Sequence, residues 1–195
     1  MTVYLHFWPY ANFCRIFALA IATTTRDESC TQCKTKQNFT TMNNKYIIDT
    51  DLRLSENFTL GEFLSSQTAV RHGIANLPQP CHVSNLRNLC REVLQPLRDH
   101  IGQPIRISSG YRCPELNALV HGVGDSQHLH GCAADLHLPS EQTGKAWYFW
   151  ICNHLDFDQL LFETNRYRAV WLHVSCRPDF KQNRHMAIPN YHCMY

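Results

Sequence analysis

SQHLHGCAADLH, residues 126–137, decides how this chain is read. It packs three histidines and one aspartate into twelve residues and changes character midway. Up to Gly131 it is polar. From Cys132 onward, small and apolar residues surround Asp135 and His137, and the pattern predicts a strand over 132–138. A strand's period of two puts Asp135 and His137 on one face. His128 and His130 fall in the loop before it, from which either could bend toward Asp135. Imidazole is the commonest metal ligand, and a hydrolytic zinc site takes three His, Asp or Glu ligands with a fourth position left for water. On residue types alone all four remain candidates.

The segments on either side supply partners. FDQLLFE (157–163) and AVWLHVS (169–175) read as two further strands, and PIRISS (104–109) as another that stops at Gly110. His173, inside an otherwise apolar strand, is either a satisfied core imidazole or a ligand. Glu163 stands at the mouth of its strand, where a carboxylate can act as general base on water or simply be solvated. Arg112, in the turn after Gly110, offers a guanidinium suited to a substrate carboxylate; a surface arginine is the alternative. Helices are expected at 59–66, opened by a Thr59/Glu62 capping box, and over 83–101, where Leu86, Leu89, Cys90, Val93, Leu94, Leu97 and Ile101 follow helical spacing. Gly102 stops the second, and Pro96 should kink it. Two more are expected at 114–120 and 140–154. Helices first and antiparallel-style strands after make the class α+β, a central antiparallel sheet flanked by helices.

The chain has 195 residues, enough for one domain (51–195) behind an N-terminal extension (1–50). Eighteen Lys and Arg against sixteen Asp and Glu leave a net charge of +2, with no basic run, so nucleic acid is a poor partner. Within the extension, FCRIFALAIA (13–22) is apolar but too short to span a bilayer, so no stable membrane insertion is expected. Ala18-Leu-Ala20 and Ala20-Ile-Ala22 resemble signal-peptide cleavage sites, although no Lys or Arg precedes the apolar run and Arg15 interrupts it. Met42 is an alternative start. Ten cysteines are scattered, often in apolar stretches (Cys90, Cys132, Cys152), and read mostly as small buried thiols. Cys30-x-x-Cys33 lacks a second pair at useful spacing and is read as chance.

SGYR (109–112), Asn117, the pattern S-x-H-x-x-G-x-A-x-D over 126–135, FDQLLFE and WLHVS occur in an order that resembles the zinc D-Ala-D-Ala carboxypeptidase-like family. That family includes murein endopeptidases and phage endolysins and shares its fold with the hedgehog signalling domain. The resemblance covers about residues 53–178. It implies one zinc ion held by His128, Asp135 and His173, with His130 and His137 outside the ligand set. It further implies Glu163 as the acid that activates water, Arg112 as the arginine near the substrate, and Ser126 as a residue shaping the pocket. One departure is Trp171, which stands where some members carry the first histidine of H-x-H. An aromatic there fits the endolysin or murein-endopeptidase branch and a substrate-contacting role for Trp171. The implied partner is a peptidoglycan stem or cross-link peptide, cut by a monomer that is either a phage lysis enzyme or exported to the periplasm or cell envelope. The alternative is a non-catalytic, zinc-stabilised binding module of the same fold, against which the retained Glu163 argues.

Overall fold

Ala134 and Leu136, Leu160 and Phe162, and Leu172 and Val174 alternate with more polar neighbours along three segments, and all six are buried. A strand with one covered face requires that period. In the computed structural model, which describes residues 48–165 and 167–189, these segments form the centre of a five-stranded sheet. Its strands are β1 (Ile107–Ser109), β2 (Ala133–His137), β3 (Gln159–Thr164), β4 (Val170–Ser175) and β5 (Met186–Pro189), ordered β1-β2-β4-β3-β5. The first four pair antiparallel with one another, as expected. The fifth departs from expectation: β5 joins the edge of β3 in parallel. Four residues ending in proline carry too little alternation to announce a strand.

The helices are α1 (Leu60–Leu64), α2 (Gln67–His72), α3 (Pro80–Leu89), α4 (Gln95–Ile101), α5 (Pro114–Leu119) and α6 (Glu141–His154). Glu62 closes the expected capping box on α1 by accepting the Thr59 backbone N–H at 2.8 Å. The long helix expected over 83–101 is instead α3 and α4 joined by a π-helical turn, Cys90–Leu94. Pro96 has no N–H for the Glu92 carbonyl, and its ring would crowd that carbonyl in a regular turn; widening the preceding turn relieves both problems. Gly102, at φ +66°, ends α4 in the left-handed conformation.

Leu86, Leu89, Val93, Leu94 and Leu97 are fully buried in one core with Leu136, Leu160, Phe162 and Leu172. Each such side chain contributes roughly 1.5–3 kcal/mol on leaving water. α6 packs on β3 and β4 and buries Trp147, Tyr148 and Ile151. One sheet face is thus filled, and the other is left for chemistry.

Among the described residues all six cysteines are free thiols, with Cys90, Cys132 and Cys176 buried. Burial raises all three, Cys132 to about 12 and Cys176 to about 11, so they are inert thiols at neutral pH. No described helix is long and apolar enough to cross a membrane. The apolar run 13–22, Met42 and Cys30-x-x-Cys33 lie outside the described residues, as does the N-terminal extension up to residue 47.

Candidate metal centre

The open face is built in cross-strand rows. Asp135 pairs with His173, which pairs with Leu161; in the next row His137 pairs with Trp171, which pairs with Glu163. The antiparallel register therefore sets residues 38 positions apart directly opposite one another, with His173 Nδ1 2.9 Å from Asp135 Oδ1. His137 shares the parity of Asp135 but sits one row further on and is exposed. The face alone did not decide between them. The register did.

His128 arrives from outside the sheet, on a 3-10 turn (Gln127–His130) that precedes β2. Its ring is buried, its Nδ1 lies 2.6 Å from the Gly110 carbonyl oxygen, and its Nε2 is 3.3 Å from both Asp135 Oδ1 and His173 Nδ1. In so tight a turn His130 points elsewhere: it is exposed and meets the His82 ring edge-on. Gly131 closes the turn at φ +67°, and a Cβ there would strike the His82 carbonyl on α3. Its role is thus the turn and its packing on α3.

One ligand atom from each of His128, Asp135 and His173 lies within 4.8 Å of the others, a spacing that could hold a single metal ion. The donor set fits one. Gly110 accepts the Nδ1–H of His128, which leaves Nε2 bare on a neutral ring and aimed at Asp135 and His173. Burial would push the Asp135 carboxyl up, but the adjoining His128 and His173 imidazoles, and their charge when protonated, hold it well below the ordinary carboxylate range. Asp135 is therefore ionised at neutral pH. Three inward lone pairs with at most one proton to share call for a cation.

A cleft of about 590 Å³ opens over the cluster, and Ser126, Arg112, Glu163 and Trp171 line it with the three ligand candidates. The residues that the family resemblance assigned to the site all line this one cleft, whereas His130 and His137 do not. Glu163 is half-buried and accepts the Trp171 indole N–H at 2.6 Å, so Trp171 is tied to the carboxylate beside it. Arg112 Nη2 lies 3.9 Å from Asp135 Oδ2. Burial lowers its guanidinium, while the Asp135 and Glu163 charges counter that, and it stays charged. Its Nε is buried with no partner among the described residues.

Sequence reading missed the residues that hold this arrangement. Asn76, buried between α2 and α3, donates to the Leu64 and Tyr111 carbonyls and accepts the Cys113 N–H, clamping the loop on both sides of Arg112. Asp158, wholly buried, accepts from Gln127 Nε2 at 2.7 Å, Arg177 Nε at 2.7 Å and Arg184 Nη2 at 2.6 Å. Burial would raise its carboxyl, but these bonds lower it to about 2. Gln127 adjoins His128, so Asp158 anchors the turn that carries this histidine. Its one visible signal was a carboxylate at the head of an apolar strand.

A sheet that faces a filled core on one side and presents a buried His/Asp/His cluster beside a second carboxylate on the other belongs to the class of single-metal hydrolase sites. Residues 56–175 match the Peptidase M15 family, and the chain belongs to that family. It is the zinc D-Ala-D-Ala carboxypeptidase-like family whose motifs the sequence resembles, a group of zinc-dependent metallopeptidases. No curated protein matches the chain.

Proposed function

We propose that this protein is a zinc peptidase that hydrolyses stem or cross-link peptides of peptidoglycan, acting as a monomer in the manner of an endolysin. The observation that carries this reading is Glu163, a half-buried carboxylate one row from the His/Asp/His cluster in the same cleft. A purely structural zinc site closes its fourth position and needs no neighbouring base.

His128, Asp135 and His173 would hold the ion. Zinc, when bound, supplies Lewis acidity toward the scissile carbonyl and lowers the pKa of water. Glu163 takes the proton of the attacking water and returns it to the departing amine. The indole N–H of Trp171 occupies Glu163 Oε2 and leaves Oε1 for that proton. Arg112, fixed by burial and by the Asn76 clamp on its loop, lies against the charge that develops on the carbonyl oxygen. Ser126, buried beside His128, shapes the floor of the pocket. With tryptophan where some members carry histidine, Arg112 takes a larger share of that charge, and the aromatic itself favours the endolysin or murein-endopeptidase branch over a dedicated dipeptidase.

Glu163→Gln separates this reading from a zinc-stabilised binding module. The variant should keep its zinc and fold and lose hydrolysis by two or more orders of magnitude, about the share expected of a general base. Mass spectrometry of fragments released from defined muropeptides identifies the bond. Failure of the zinc-loaded protein to release fragments from purified peptidoglycan of any chemotype overturns the reading.

A further inference from the structure

The proposed chemistry uses one of the two arginines that line the cleft; the other is Arg184. It enters from the segment before β5, beyond the residues matched to the family. Asp158 holds it rigidly. Arg184 Nε donates to Oδ1 at 2.9 Å, Nη2 to Oδ2 at 2.6 Å, and the backbone N–H to Oδ1 at 3.1 Å. This fork uses two of the guanidinium's five N–H groups, and the side chain lines the cleft and is 40% exposed, so donors remain for a ligand. The carboxylate does not neutralise it, because Arg177 shares the same Asp158 at 2.7 Å: one anion faces two cations. Arg177 does not line the cleft.

The two cleft arginines approach from opposite edges of the sheet. Arg112 follows β1 and lies against Asp135 of β2; Arg184 precedes β5, and β1 and β5 are the outer strands. A peptide lying in the cleft would thus find one guanidinium carried from each edge strand. The remaining acidic groups on the wall are Asp125, Glu163 and Asp135. Each stands near Ser126, Trp171 or the cluster, and the fork on Arg184 belongs to Asp158.

We propose that Arg184 is a specificity-determining residue that receives a carboxylate of the peptide substrate, at the opposite edge of the sheet from Arg112. The proposal rests on the peptidase reading above, and binding rather than turnover tests it. Zinc-loaded Glu163→Gln protein is titrated calorimetrically with pentapeptides ending in D-Ala-D-Ala. One pair differs as C-terminal acid or amide, and a second pair carries glutamate or glutamine at an internal position. One acid form should bind about 10- to 100-fold more tightly than its amide, the range for a charge-assisted bidentate contact. The pair that shows the preference identifies the carboxylate. Arg184→Ala in the same background should abolish the preference by weakening only the acid form, and Arg184→Gln, which keeps a hydrogen bond to Asp158, should do the same if the alanine variant misfolds. Arg177→Ala loses the same kind of partnership with Asp158 and should lower the melting temperature while keeping the preference. A preference that survives loss of Arg184, or no preference in either pair, overturns the proposal. An Arg184-dependent preference in a protein whose wild type cuts nothing supports it and overturns the peptidase reading alone.

Discussion

Asp158→Asn tests whether a buried carboxylate outside the metal cluster holds the site together. Asparagine keeps the shape and one acceptor oxygen, but it sets an NH2 group among the N–H donors of Gln127, Arg177 and Arg184. Removing one partner of a buried ion pair costs roughly 3–5 kcal/mol when the other charge is trapped. Here the arginine side chains are 36% and 40% exposed and can turn toward water, which reduces the expected loss to about 2–3 kcal/mol. In a domain of this size that corresponds to a fall of roughly 6–10 °C in melting temperature. The pH dependence gives a second, independent readout. Bonding lowers the Asp158 carboxyl from 3.8 to about 2, so its contribution is complete above pH 4 and lost as pH falls from about 4 to about 2. That difference is worth roughly 2–2.5 kcal/mol, and the variant lacks it. Urea unfolding of wild type and variant, both with chelator present, should show a gap that is full at pH 7 and narrows below pH 4. Asp135 is common to both proteins and cancels in the difference. A gap under about 0.5 kcal/mol at pH 7, within the ordinary range of surface substitutions, or one that stays constant down to pH 2.5, would refute the reasoning.

Other expectations concern the cluster and its neighbours. His128→Ala should remove zinc from the protein as purified, whereas His130→Ala should leave it bound, and metal analysis by mass spectrometry reports both; the opposite pattern reverses the ligand assignment. Trp171→Phe keeps the ring and deletes the N–H that Glu163 accepts, and should lower kcat about 10-fold, the value of one hydrogen bond to a charged group, with zinc content unchanged. An unchanged kcat would mean that Trp171 serves only as a contact surface. Gly131→Ala combines a left-handed backbone with a clash against the His82 carbonyl and should destabilise by at least about 1–2 kcal/mol in urea.

Much of this was legible in the linear order of residues. The period of two in FDQLLFE and WLHVS marked β3 and β4, because a strand with one buried face must alternate. The Thr59/Glu62 box and Gly102 marked helix ends, because unpaired backbone groups there need a local partner or a left-handed residue. Residue chemistry narrowed the ligands to histidines and aspartate, and the family's motif order chose His128 and Asp135 from the crowded segment. The Asn76 clamp, the Asp158–Arg184 fork and the parallel seat of β5 left no such mark. Their partners lie 12 to 37 residues apart, and no local period records them.

Alternation told which side of a strand each residue faces but not which row it occupies, so Asp135 and His137 were equivalent on that ground. The pairing of β2 with β4 separated them by putting His173 opposite Asp135 and Trp171 opposite His137. Register is a property of two chain segments meeting, and a one-residue slip would have turned the whole set into the core. For the same reason the His/Asp/His cluster is a tertiary object: its side chains come from a turn and two strands, and packing alone brings them close enough that they could hold one ion.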